Sequence, residues 1–362
     1  MKHTFSVKDS QVTKGIAVFL LLIHHLFVNP ADWKGYPLRF FAVSAEQMVK
    51  IAAASKVCVA IFLFLTAYGM TIKYKKTAGT NKDAVRIALT KYVSILFSFL
   101  FVFLLTHLAW YVLNNGTNLQ IYGNGMQAVW TFAMDALGIS FFLGTATLNG
   151  VWWYMSLLFC VLCLLPVMWK LQAYMGVLIL PAACLLPAAL GLNGYMLPYL
   201  PTLALGVCAA DSSLIEKIGA VGGANKGIRV LKWCVYVLLF GSAFVLRGNG
   251  VFNISVTNGV LSLLCVLLVY EIIGRIPLIS GVLQLFGKYS FGIFVTHSLF
   301  ILYFFDGKLF SLKYGILIIA VLAVVSLTLA VILTKLEKLC GVERLKKTVI
   351  GRIERFFCLK TD

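Results

Sequence analysis

Ten stretches of roughly 20 mostly apolar residues follow one another along this chain, separated by polar loops. About 20 apolar residues are what a helix needs to cross the ~30 Å hydrocarbon core of a bilayer. Backbone N–H and C=O groups find no water there, so a spanning run must satisfy them internally, as a helix. The runs lie at about 12–28, 51–73, 91–113, 149–169, 173–190, 195–210, 230–247, 257–273, 283–304 and 313–334. The expected fold is an all-α polytopic transmembrane bundle of about ten spans. Composition agrees: 61% of residues are hydrophobic and 12% charged, against about 25% charged in a soluble domain. A soluble enzyme, a disordered chain and a small disulfide scaffold are excluded. Residues 126–143 carry Gln127 and Asp135 within an otherwise apolar run and read as an amphipathic or re-entrant piece.

Charge sets the expected topology. The formal net charge is +18, and the cations cluster at helix ends. With the N-terminus inside, 24 of the 31 Lys and Arg fall on the inner side and 7 on the outer. The positive-inside rule then places both termini in the cytoplasm. Cations so distributed act as topology signals beside anionic membrane lipid, not as a stripe for nucleic acid. Residues 1–334 read as one membrane domain and 335–362 as a short basic cytoplasmic tail. The first run mimics a signal peptide but continues into His24-His25-Leu26-Phe27 without a small-x-small cleavage site, so it reads as an uncleaved first span. Nine cysteines are scattered and odd in number, and Cys160-x-x-Cys163 is flanked by leucines, as a packing pair would be.

Ionisable groups inside a span are costly and by default face the bundle interior or a wet cavity. Four places qualify. In KGIAVFLLLIHHLF, eleven residues separate Lys14 from His25. That is three helical turns plus about 20°, so the two share a face about 16 Å apart. Either both histidines are interfacial and reach water, or His25 is functional: imidazole takes a proton from a hydroxyl near neutral pH, which makes it the natural general base. His24 is rotated about 100° away and is either interfacial or an assistant to His25. Lys73, Lys75 and Lys76, then Lys82, Arg86 and Lys91, follow the second span. They read as positive-inside bias or as an anion site for phosphates. Trp152, Trp153 and Tyr154 open a span, either as an interfacial belt or as the lining of a substrate cavity. His297 sits within GKYSFGIFVTHSLF, either bonded to a neighbouring helix or facing the cavity. Glu271 and Arg275 stand at i, i+4 and read as an ion pair at a helix end. No phosphate-binding loop, HExxH or GxSxG motif occurs, and no metal site is expected.

These segments carry a resemblance. KGIAVFLLLIHHLF, CVAIFLFLTAYGM, NGVWWYMSLLF and GKYSFGIFVTHSLF, in that order, resemble four helices of the integral-membrane acyltransferase-3 family, the bacterial O-acetyltransferases of cell-surface sugars. The match runs across essentially all spans. Lys14 stands where that family usually has Arg, and Thr66-Ala67 where it has Ser-Gly. The resemblance implies a multi-pass enzyme of the bacterial cytoplasmic membrane. Its co-substrate would be acetyl-CoA, with no permanently bound cofactor. The acceptor would be a hydroxyl of a surface polysaccharide or its lipid-linked precursor. His25, with His24, would be catalytic. Lys14, Lys73, Lys75, Lys76, Arg86 and Lys91 would hold the donor. Trp152, Trp153, Tyr154 and His297 would line the cavity. Some relatives carry an extracytoplasmic domain after the last span; only a short basic tail follows here. Transfer is therefore expected to finish in the membrane domain or on a separate extracytoplasmic partner. The alternative class is a transporter or flippase for lipid-linked sugars, which would share the cavity and basic face but not need His25 opposite a donor site.

Overall fold

The computed structural model describes residues 4–113, 119–192, 194–251, 253–304 and 307–358. The α-helices are α1 (Val7–Phe27), α2 (Ala45–Ser55), α3 (Val57–Thr77), α4 (Asn81–Leu113), α5 (Gly125–Ala136) and α6 (Ser140–Leu143). Then come α7 (Trp153–Met175), α8 (Ile179–Ala189), α9 (Leu200–Ser212), α10 (Leu214–Gly219), α11 (Lys226–Gly248) and α12 (Ile254–Glu271). The last four are α13 (Pro277–Lys288), α14 (Ser290–Leu299), α15 (Gly315–Leu339) and α16 (Val342–Cys358). Among the described residues extended structure is limited to an isolated bridge between Arg39 and Tyr314.

Among the described residues seven segments are long and apolar enough to cross a bilayer: α1, α2 with α3, α4, α7 running into α8, α11, α12 and α15. The bent pair α13 and α14 makes up to eight. The sequence reading placed two further spans at 173–190 and 195–210. There the structure forms α8 and α9, of 11 and 13 residues, about 16 and 20 Å long. Gly176, in the left-handed region at φ 56°, separates α8 from α7. The 126–143 segment forms α5 and the single-turn α6, neither long enough to span.

The chain divides into two compact units, one of Met1–Ile72 with Leu171–Ala330 and the other of Lys73–Lys170 with Val331–Asp362. The first unit is organised on α1. Ser6 and Asp9 cap its start reciprocally, Ser6 Oγ accepting from the Asp9 N–H and the Asp9 carboxylate accepting from the Ser6 N–H. Val18, Leu22, Leu26 and Phe27 then pack with Ala52, Phe286, Ile293 and residues of α15 in one buried cluster. In lipid the hydrophobic effect does not drive helices together; close backbone packing at small residues does. Gly15 lies against the Leu283 carbonyl and Gly287 against the Gln11 carbonyl, so α1 and α13 cross with their backbones in contact.

Two breaks shape this unit, and neither contains proline. At the α2–α3 junction the Lys56 N–H bonds back to Ala53, which leaves the Ala52 carbonyl without its helical donor. At Tyr289 the chain bends 71° between α13 and α14, and a π-helical turn follows at Phe300–Phe304. At the end of α12 the ion pair differs from the one read in the sequence. Glu271 pairs with Lys232 of α11 at 2.7 Å and accepts from Trp233 Nε1 and Tyr236 Oη. α12 stops at Glu271 and Arg275 falls in a 3-10 turn, so the i, i+4 register that would have joined them is lost.

The second unit is built on α4, against which α16 packs lengthwise. Lys346 of α16 pairs with Glu343 at 2.6 Å and Glu337 at 3.6 Å. The C-terminal part of α4 meets α5 through a buried polar network. Asp135 is fully buried and accepts from Tyr122 Oη at 2.8 Å, the Leu148 N–H at 2.8 Å and Ser140 Oγ at 3.2 Å. Tyr122 Oη in turn meets His107 Nε2 of α4 at 3.1 Å. Burial and the Asp135 carboxylate push the Tyr122 phenol pKa up, which keeps it protonated and donating.

Two outcomes test this account in detergent-purified protein. Gly287→Ala should lower the thermal midpoint well below that of Gly281→Ala on the same helix, whose added methyl meets nothing. The expected cost is about 1–3 kcal/mol, from overpacking; equal midpoints would refute the backbone contact. Asp135→Ala should cost about 3 kcal/mol by stranding buried donors, and Tyr122→Phe about 1 kcal/mol, measured by thermal unfolding of the two variants side by side.

Candidate active site

The first unit gathers three imidazoles. His24 and His25 lie near the end of α1 and His297 in the last turn of α14. The ring of His25 stands between the other two, with centroids 4.9 Å from His24 and 4.9 Å from His297. α1 brings the first two there as one unbroken helix with Lys14 on the His25 face. The bend after α13 carries His297 to them.

Each outer ring is anchored by its own backbone contact. His24 Nδ1 lies 2.8 Å from the Ala52 carbonyl oxygen, the group left without a donor by the α2–α3 break. A carbonyl only accepts, so His24 carries its proton on Nδ1. His297 Nδ1 lies 3.0 Å from the Ile293 oxygen and 2.9 Å from the Phe294 oxygen. Its proton is therefore also on Nδ1. His297 is wholly buried, and its Nε2 has no hydrogen-bond partner among the described residues. His25 is half-buried, and its ring makes no hydrogen bond to a described residue.

Arg247, at the end of α11, is a participant that sequence reasoning passed over as a loop cation. Its Nε donates to the Ala54 carbonyl at 3.1 Å, while Nη1 is buried without a partner among the described residues. His24 and Arg247 thus hold two carbonyls of the same α2 end. Beside it, a crevice of about 340 Å³ runs between α2 and α11, lined by Gln47, Lys50, Ala54, Phe244 and Gly248 among others. The only local signal for Arg247 was a cation set between an apolar run and Gly-Asn-Gly.

The remaining candidates are distributed over both units. Lys14 is half-buried, beside the Gly15 crossing, and makes no hydrogen bond or ion pair with a described residue. Lys73, Lys75, Lys76 and Lys91 belong to the second unit and are exposed. Arg86 there is held by Asp83 at 3.0 Å. Trp152 is buried in the core of the second unit, its ring 5.2 Å from Phe99 and 5.7 Å from Phe103. Trp153 and Tyr154 are half-buried. No group of three or more His, Cys, Asp or Glu among the described residues is arranged to hold a metal.

The arrangement can move protons. Three imidazoles sit together in an apolar helical unit, the outer two anchored to main-chain carbonyls and the one between them without a backbone anchor. A group so placed can accept a proton from a hydroxyl and pass it on.

Comparison with known proteins gives one match. A family model described as an acyltransferase domain matches residues 8–335. No curated protein and no solved structure matches. The matched span covers both units and every residue of the imidazole cluster, and with its apolar helices the chain belongs to the acyltransferase-3 family of membrane acyltransferases.

Proposed function

We propose that the protein is an O-acetyltransferase of the bacterial cytoplasmic membrane, moving an acetyl group from acetyl-CoA to a sugar hydroxyl of a surface polysaccharide or its lipid-linked precursor. The observation that carries the reading is His25. It is a half-buried imidazole on a membrane-spanning helix, flanked by two further imidazoles and aligned with a cation about three turns away.

In this reading Lys14, Lys73, Lys75, Lys76, Arg86 and Lys91 attract the phosphates of the donor from the cytoplasmic side. Lysine offers a point charge where a guanidinium would offer a fork, so the lysines at these positions act through charge more than through shape. The pantetheine arm enters the bundle and brings the thioester toward His25. The acceptor hydroxyl reaches His25 from the side opposite the thioester. His25 removes the hydroxyl proton as the oxygen attacks the thioester carbonyl. The C–S bond breaks, and the proton on His25 passes to the departing thiolate. The sum is ester plus CoA thiol from alcohol plus thioester, with His25 restored. His24 assists by fixing the end of α1 to α2.

The test uses purified protein in nanodiscs with radiolabelled acetyl-CoA and membrane glycolipid extract. His25→Ala should abolish label transfer with the thermal midpoint unchanged; full activity in that variant would refute the assignment. Lys14→Arg should transfer at close to the wild-type rate. Lys14→Ala should raise KM for acetyl-CoA about tenfold, the size of one lost charge-assisted contact. An unchanged KM in Lys14→Ala would remove Lys14 from the donor site.

A further inference from the structure

The hydrogen-bond inventory of the imidazole cluster does not close as it stands. A neutral imidazole has one N–H and one lone pair. His24 spends its N–H on the Ala52 carbonyl, and His297 spends its own on Ile293 and Phe294. Both therefore turn a bare Nε2 lone pair outward. For His24 this is harmless, because the ring is only half-buried and its Nε2 is not among the sealed atoms. For His297 it is not. The residue is 0% exposed and its Nε2 is sealed without a partner. A buried acceptor left unpaired is costly, and native structures rarely leave one so. The neighbouring ring with an uncommitted N–H is His25, its centroid 4.9 Å away.

We infer that His297 is a positioning residue for His25: its Nε2 accepts the His25 N–H, which fixes the His25 tautomer and leaves the other His25 nitrogen as the bare base. The inference rests on the reading of His25 as base given above, and it adds what selects the working nitrogen. His297 itself never changes protonation. The hydroxyl proton arrives on the free nitrogen of His25, so His25 briefly carries two N–H groups, one of them held by His297. That proton then leaves for the thiolate sulfur. The buried backbone carbonyls of Ile293 and Phe294 play the part that a carboxylate plays in other acid–base pairs. They pin the proton of the supporting ring where it cannot wander. This also explains why His297 lies in α14, where a bent helix offers carbonyls at both i−3 and i−4 to one ring.

The experiment combines kinetics with a spectroscopic readout. His297→Gln keeps an acceptor oxygen at the end of a chain of similar reach, and His297→Phe keeps the ring volume without one. Expected is a fall in kcat of about 10²–10³ for His297→Phe, in the range of lost acid–base support, with KM for acetyl-CoA unchanged. His297→Gln should stay within tenfold of wild type. A His297→Phe variant with wild-type kcat, or a His297→Gln variant as impaired as His297→Phe, overturns the inference. The second measurement needs no variant to fold. The chain has five histidines, so wild-type protein labelled with 15N-histidine in nanodiscs gives a sparse spectrum. A 15N–15N coupling across the hydrogen bond between His25 and His297 Nε2 is expected, and its absence overturns the inference. The two readings fail separately. Activity retained in His25→Ala removes the base itself, whereas an inactive His25→Ala beside a fully active His297→Phe removes only the support.

Discussion

The contact on which the first unit depends is the crossing of α1 and α13 at Gly15 and Gly287. Hydrocarbon surroundings give two helices little reason to associate beyond how closely they fit, and here the fit is backbone to backbone. α1 carries Lys14, His24 and His25; α13 leads through its bend into α14 and His297. One helix crossing at two glycines therefore sets the distance between His25 and His297. A side chain at either position would separate the helices by the width of a methyl group or more. A ring contact of 4.9 Å between His25 and His297 does not survive that displacement.

The second constraint is the way interrupted helices are used. A continuous helix consumes its own carbonyls, so a span offers side chains little to bond. The α2–α3 junction releases carbonyls at Ala52 and Ala54, and His24 and Arg247 take them. Histidine and arginine, which hydrocarbon tolerates poorly, are placed where a break supplies acceptors. His297 on α14 follows the same logic within a single helix. The polar groups of the site are thus held by main chain more than by one another.

Much of this was legible in the sequence. Apolar runs marked the long helices because periodicity and length are local properties, and the Lys14–His25 spacing was readable because α1 is unbroken. The short α8 and α9 looked like full spans because the end of α7 and two apolar 3-10 turns extend the hydrophobic runs beyond them. The α2–α3 break was invisible, since AAASKVCVA contains neither glycine nor proline and the junction is stabilised from outside by α1 and α11. The Glu271–Arg275 pairing failed for a related reason: the i, i+4 rule presumes that the helix continues, and α12 ends at Glu271. Asp135 was noticed as an oddity in an apolar run, but Tyr122 and Leu148 are neighbours only after folding. Arg247 was passed over because a cation at the end of a span ordinarily needs no partner.

The positions of the two meeting helices in the chain have a consequence for biosynthesis. α13 leaves the ribosome about 250 residues after α1, and domains generally acquire structure as they are synthesised. Until α13 is made, the Gly15 face of α1 has no partner backbone, and His25 waits beside His24 alone. The imidazole cluster closes only once α13 and α14 are both in place. A polypeptide ending before Pro277 would insert most of its apolar runs and lack both the helix crossing and the third ring. Inserting α1 in the membrane and completing the cluster around it are thus separate events in time.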